Sequence, residues 1–193
     1  DISLIKNTKL GVTKSLSLAV EKISRNLNNL NPDLLILLGD RYETFAAAVS
    51  ATILNIPIAH IHGGETTQGA FDESFRHSIT KMSHFHFCST KAYKKRIIQL
   101  GENPKNVFCV GALGIDNILS NKFLKIKQLE KEFSLPFSKK NIFITFHPVT
   151  LEKNSSLQYF KNLLRSLNKI EDVSLFFSKS NADPEGRKIN NEI

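Results

Sequence analysis

The sequence predicts an α/β fold built on parallel sheets, and three observations carry that prediction. Short apolar runs alternate with segments of helical periodicity along the chain. The runs are nearly continuous in apolar residues, as in strands buried on both faces, so helices are expected to cover both sides of the sheet. Residues able to do chemistry gather directly after these runs, at the carboxyl ends where open parallel sheets bind ligands.

The elements follow in order. Residues 11–30 place Leu16, Ala19, Val20, Ile23, Leu27 and Leu30 at helical spacing. Asn31-Pro32-Asp33 stops that helix, and Leu34 to Leu38 reads as a buried strand. Gly39-Asp40-Arg41 is a tight turn into a helix over 43–54, and Ile56 to Ile61 is the next strand. A helix over Ser74–Met82, a strand over His84–Ser89, a helix over Thr90–Leu100 and a strand over Asn106–Gly111 continue the alternation. A further helix starts within Asp116–Leu119. The pattern then loosens into Lys-rich helix and turn, before a strand over Asn141–Phe146, a helix over 155–169 and a strand over Val173–Phe177.

This divides the chain into an N-terminal α/β domain over 1–120 and a linker with the start of a second domain over 121–193. The second domain's two strands and single helix cannot bury a core alone. The sequence is therefore expected to be an internal piece of a longer two-domain protein.

Composition narrows the function classes. With 41% hydrophobic and 23% charged residues the chain is expected to fold, and its 14 Phe against 3 Tyr and no Trp predict a core of Phe, Ile and Leu. The net charge of +8 is carried mainly by scattered lysines such as Lys14, Lys22, Lys81 and Lys91, without a compact basic run. That distribution reads as solvated surface lysines rather than a nucleic-acid surface, with small phosphorylated ligands still allowed by the charge, and the acidic cluster at 65–73 would repel a phosphate backbone. Cys88 and Cys109 lack C-x-x-C spacing and sit in apolar runs, so both are expected as buried free thiols in a reducing compartment. No apolar stretch reaches the roughly 20 residues that span a bilayer. With no signal peptide read, the expectation is a cytoplasmic protein without a membrane partner.

Residues 60–77 hold three His, three carboxylates, one Arg and three Gly within eighteen positions directly after a strand. Such a density of titratable groups beside a buried element points to a site. His60 and His62, two apart on a strand, are expected to share one face, a spacing that suits metal ligation or acid/base work. His60 also reads as a buried histidine bonded to backbone. Gly63-Gly64 permits close backbone approach to a ligand, with Glu65 on the loop. Asp72–Arg76 and Glu73–His77 form i,i+4 pairs, either as an exposed helix face or as carboxylates and cations returning to the same loop. Asp40 reads as an N-cap for the following helix or as an ionised site group, and Arg41 requires Glu43 or a phosphate as partner. His147 ends the first strand of the second domain, and Ser178 to Asp183, including Asn181, occupies the equivalent place after the next.

Taken together, Gly39-Asp40-Arg41, His60-Ile-His-Gly-Gly-Glu65, the run from Asp72 through Arg76-His77 to His84, and Phe146-His-Pro-Val-Thr150 resemble the hydrolysing UDP-N-acetylglucosamine 2-epimerases of sialic and nonulosonic acid pathways. The resemblance implies a GT-B fold of two Rossmann-like domains, both incomplete here, so the chain alone is expected to be inactive. It implies a UDP-sugar substrate, no cofactor, no metal, and a homo-oligomer, dimer or tetramer, for the intact protein. It implies elimination of UDP to a 2-acetamidoglucal followed by hydration to an N-acetylmannosamine-type sugar. Asp40, Glu65 and Asp72 (or Glu73) are the implied acid/base carboxylates. Arg41, Arg76 and His77 would orient them or meet phosphate charge; His60 belongs to the substrate side, and His147 and Asn181 would contact UDP. Several relatives carry Glu where this chain has His62, so either His62 or Glu65 takes that proton-transfer role. At Ser180 relatives often have Pro. UDP-N,N'-diacetylbacillosamine is an alternative substrate for the same chemistry. A binuclear metal phosphoesterase built on Asp40, His60 and His62, and a nucleotide-sugar sensor, are the competing readings.

Overall fold

The computed structural model describes residues 9–148, 155–180 and 186–193. The chain divides into two compact units, Asp1–Leu119 and Ser120–Ile193.

In the first unit, β1 (Leu35–Leu38), β2 (Ile58–Ile61), β3 (Phe85–Cys88) and β4 (Val107–Cys109) form a parallel sheet in sequential order. Between them run α2 (Tyr42–Ile53), α3 (Asp72–Met82) and α4 (Lys91–Gln99), with α1 (Lys9–Leu30) before β1 and α5 (Leu113–Ser120) after β4. Leu37, His60, His86 and Val107 stand side by side across the four strands. Leu37, Ile58, Ala48, Ala51, Ile79 and Leu27 make the main core on that face, and Cys88, Val107 and Ile97 a second beneath α4. α1 lies close on α2 through small residues, with Ala19 and Ala46 fully buried and Ser24 Oγ donating to Ser50 Oγ at 2.9 Å.

The expectation of helices on both faces is corrected for the described residues. Each β–α–β step moves the same way across the sheet, and right-handed crossovers then place the connecting helices α2, α3 and α4 on one side. The opposite side leaves Ile36 62% and Leu38 56% exposed, with Phe85 and Phe108 also open. The Cys109 expectation is corrected too: Cys88 is buried, but Cys109, on the outer strand β4, is exposed, and both thiols are free.

The second unit holds α6 (Ile126–Phe133), β5 (Lys140–Ile144), α7 (Ser156–Leu167), β6 (Val173–Phe177) and α8 (Gly186–Glu192). The two strands pair in parallel from Lys140↔Val173 to Ile144↔Phe177. Phe160 of α7 is fully buried, its ring 5.2 Å from Phe146 and 6.2 Å from Phe177. Val149, Thr150 and Asn181 lie outside the described residues. Among the described residues no helix is long and apolar enough to cross a membrane.

Candidate active site

The carboxyl ends of β1, β2 and β3 bring the candidate residues of the first unit together. Asp40 follows β1, but the N-cap position of α2 is Arg41, with no side-chain cap bond. Asp40 therefore does not cap its helix. Its Oδ2 accepts instead from Arg76 Nη2, a residue 36 positions away on α3. Arg41 finds the local carboxylate, its Nε 3.2 Å from Glu43 Oε2.

Arg76 is 94% buried, as its 6% exposure states, and serves as the hub. Besides Asp40 it donates to Thr67 Oγ1 at 2.9 Å and to Glu73 Oε2 at 3.4 Å. Glu73 Oε2 also accepts from the Thr67 backbone N–H at 2.6 Å, and Oε1 lies 3.2 Å from His77 Nε2. Both Glu73 oxygens are thus engaged, Oε2 holding the loop to α3 and Oε1 facing His77 of the same helix. Asp72 and Glu73 occupy the first turn of α3, where the helix dipole favours negative charge. The helix start is pinned by Phe75, stacked on Phe45 at 4.8 Å and edge-on to Phe71 at 5.6 Å.

His60 and His62 do not share a face, which corrects the paired-histidine expectation. β2 ends at Ile61, and His62 takes φ +64°, turning out of the strand. His60 is fully buried. Its Nε2 lies 2.8 Å from the Gly39 carbonyl and its Nδ1 3.2 Å from Thr80 Oγ1. A carbonyl only accepts, so Nε2 carries the hydrogen and Nδ1 accepts from the Thr80 hydroxyl. With both nitrogens used, His60 holds the backbone next to Asp40 and offers no nitrogen to a ligand. Gly63 leaves room for this clamp, since a Cβ there would sit 3.0 Å from His60 Nδ1 and 3.1 Å from Thr80 Oγ1.

Burial pushes the His60 imidazole down to about 4, although its bond to Gly39 opposes that. The folded chain therefore keeps His60 neutral, while the unfolded chain protonates it below the ordinary value near 6.5. The unfolded state binds the extra proton, so stability falls as pH drops through the window between those values. The expected loss between about pH 6.5 and about pH 4.5 is about 2–3 kcal/mol. Urea unfolding of wild type and His60→Asn at both ends of the window checks this, since the variant must lose that part of the pH dependence.

The loop after β2 is seated by α4 and β3. Arg96 Nη1 donates to the Gly64 carbonyl, and the Arg96 guanidinium lies 5.6 Å from the Tyr93 ring centroid. The close approach of Gly64 is thus to α4. At the loop's end Glu65 Oε1 lies 2.7 Å from His62 Nδ1 and accepts from Ser89 Oγ at 2.9 Å. Sequence reasoning missed Ser89, Thr67, Thr80 and Arg96. Ser89 directly follows an apolar run, the same signal that marks Asp40, whereas Thr80 and Arg96 lie at ordinary helix positions.

The two carboxylates are driven apart. Burial raises the Asp40 carboxyl above its ordinary value, outweighing the attraction of Arg76. Burial works the same way on Glu65, but the hydrogen bonds from His62 and Ser89 outweigh it and hold that group below the usual range. One site thus contains a carboxyl shifted up and another shifted down, the direction of separation that an acid and a base need. Among the described residues no cluster of three or more His, Cys, Asp or Glu side chains is arranged to hold a metal ion.

In the second unit, His147 Nδ1 lies 3.4 Å from Ser180 Oγ, joining the ends of β5 and β6. Asn190 of α8 brackets Ser180, accepting from its N–H at 2.6 Å and donating to its carbonyl at 3.2 Å. Asn190 carried no signal in the sequence.

This chain is similar to the hydrolysing GDP/UDP-N,N'-diacetylbacillosamine 2-epimerase of Campylobacter jejuni, at 43% identity over 98% of the chain and 49% of the relative. It is 37% identical to the hydrolysing UDP-N,N'-diacetylbacillosamine 2-epimerase of Legionella pneumophila, over 84% of the chain and 42% of that protein. The chain thus spans about half the length of the curated relatives it matches. Among solved structures, the UDP-GlcNAc 2-epimerase from Neisseria meningitidis bound to UDP-GlcNAc superposes with a TM-score of 0.77, at 23% identity, over 94% of this chain and 51% of that one. The α/β architecture is accordingly of the GT-B type. The profile of the UDP-N-acetylglucosamine 2-epimerase family matches residues 1–193, and the chain belongs to that family.

Proposed function

We propose that the intact protein is a hydrolysing 2-epimerase acting on a UDP-linked 2-acetamido sugar. The opposed shifts of the Asp40 and Glu65 carboxyls, with Arg76 bonded to Asp40 and with His62 and Ser89 bonded to Glu65, carry this reading. A base takes the proton from C2 while the C1–O bond to UDP breaks, giving a 2-acetamidoglucal. Water then adds across the double bond, its hydroxyl to C1 and a proton to C2 from the opposite face. Proton transfers at fixed positions suffice for both stages.

Asp40, whose carboxyl burial raises above its ordinary value, suits the acid. The base belongs to the His62–Glu65 pair. Asp72 or Glu73 remains the third carboxylate candidate, Glu73 with its oxygens on Thr67, Arg76 and His77. Arg76 orients Asp40, and His60 does so from below through Gly39. Arg41 is the candidate for phosphate charge, and His147 and Asn181 for UDP.

The names of the two relatives favour a 2,4-diacetamido sugar over UDP-N-acetylglucosamine, the substrate that the sequence motifs put first. The test supplies UDP-N-acetylglucosamine and UDP-N,N'-diacetylbacillosamine side by side to the intact protein in deuterated water. UDP release with one deuteron at C2 of the product is expected, faster with the diacetamido sugar. UDP release without deuterium at C2 would refute proton abstraction there.

A further inference from the structure

The His62–Glu65 pair contains two possible bases, and its geometry distinguishes them. Glu65 Oε1 receives two hydrogen bonds, one from Ser89 Oγ at 2.9 Å and one shared with His62 Nδ1 at 2.7 Å. Between an ionised carboxylate and an imidazole, the hydrogen resides on nitrogen. A neutral His62 ring therefore carries it on Nδ1 and keeps the lone pair on Nε2. Nε2 has no hydrogen-bond partner among the described residues, and the side chain remains 24% exposed. The backbone supports the same arrangement. At φ +64° His62 leaves the strand, so its ring escapes the buried face that His60 occupies and swings onto the loop beside Glu65.

We infer that His62 Nε2 is the atom that takes the C2 proton, with Glu65 and Ser89 as positioning residues for the ring. The inference rests on the epimerase reading above and sharpens it. As the C2–H bond breaks, its electron pair forms the C1=C2 double bond, and the C1–O pair leaves with UDP. His62 becomes an imidazolium facing the Glu65 carboxylate, and it returns the proton to solvent before the next turnover. Glu65 fixes the tautomer and stabilises the positive ring, the same division of roles as in a His–Asp pair of hydrolases. Ser89 stops the Glu65 carboxylate from rotating away. The depressed Glu65 carboxyl fits this supporting role, because a carboxylate held below its usual range is a poor proton acceptor.

The test uses the intact protein and chemical rescue. His62→Gly suits the positive φ, so the loop keeps its path. Its kcat is expected to fall by about 10²–10⁴-fold with little change in KM. Added imidazole should restore kcat in proportion to its concentration, with deuterium again entering C2, and formate should not. Ser89→Ala should lower kcat several-fold at unchanged KM, and Glu65→Gln should lower it without response to imidazole. An active wild type whose His62→Gly variant keeps its rate overturns the assignment. So does rescue by formate instead of imidazole, or rescue by neither, and the epimerase reading survives all three. A wild type that releases no UDP from either sugar overturns the epimerase reading and this assignment with it.

Discussion

Arg76→Ala is expected to destabilise the intact protein by about 3 kcal/mol and to abolish UDP release. Arg76 is the buried meeting point of Asp40, Thr67 and Glu73, and its own side chain is only 7% exposed. Removing one member of a buried ion pair leaves the other charge desolvated, which costs about 3–5 kcal/mol when both partners are fully buried. Asp40 and Glu73 keep partial contact with solvent, so the lower end of that range applies. The functional loss has a separate origin. Without Arg76, Asp40 loses the only opposing force against burial that comes from α3, and the loop from Thr67 to Glu73 loses its anchor. Urea unfolding and a UDP-release assay on one preparation measure both effects. Arg76→Lys keeps the charge without the planar fork, so it should recover part of the stability and little of the rate. A change in unfolding free energy below about 0.5 kcal/mol for Arg76→Ala, the range of ordinary surface substitutions, would sink this account.

Gly64→Ala is expected to be the most damaging single methyl group that could be added to the loop. A Cβ at Gly64 would stand 2.6 Å from the Tyr93 carbonyl oxygen and 2.9 Å from Ile97 Cγ1. The nearer obstacle is helix backbone, which cannot rotate aside. The φ of +77° adds about 1–2 kcal/mol for any residue with a Cβ. Overpacking adds about 1–3 kcal/mol, so a total of about 2–5 kcal/mol follows. Relief by lifting the loop off α4 would break the Arg96 bond to the Gly64 carbonyl and carry His62 and Glu65 away from Ser89. Activity should therefore fall even at temperatures where the variant remains folded. Thermal unfolding with activity measured well below the transition separates the two, and full activity in a folded Gly64→Ala protein would contradict the seating role of α4.

The order of elements was legible because periodicity is local. The spacing of Leu16 through Leu30 gives one helix, and the run from Leu34 to Leu38 gives a strand, whatever surrounds them. Ends were less legible: α3 begins at Asp72 rather than Ser74 because the aromatic contacts of Phe71 and Phe75 pin its first turn. The site region was legible for another local reason, since charged residues directly after a buried strand have few purposes other than chemistry.

Partnerships within the site were not legible. Asp40 reads as an ordinary helix cap until pairing of β1 with β2 and the return of α3 carry Arg76 to it. His60 and His62 look like one pair, yet one left-handed residue sends the first into the core and the second onto the loop. Ser89 carries a strand-end signal, but its partner Glu65 becomes visible only when β3 pairs with β2 and lays its end beside the loop. The sequence by itself determined the alternation of strands and helices, the strand-end location of the chemistry and the family. Tertiary structure alone decided which carboxyl is shifted up and which down, which histidine is a clamp and which stays partly exposed, and that, among the described residues, one face of the sheet is left open. The physical reason is range: periodicity and turn chemistry act over a few residues, whereas burial and charge pairing depend on groups brought together across the sheet.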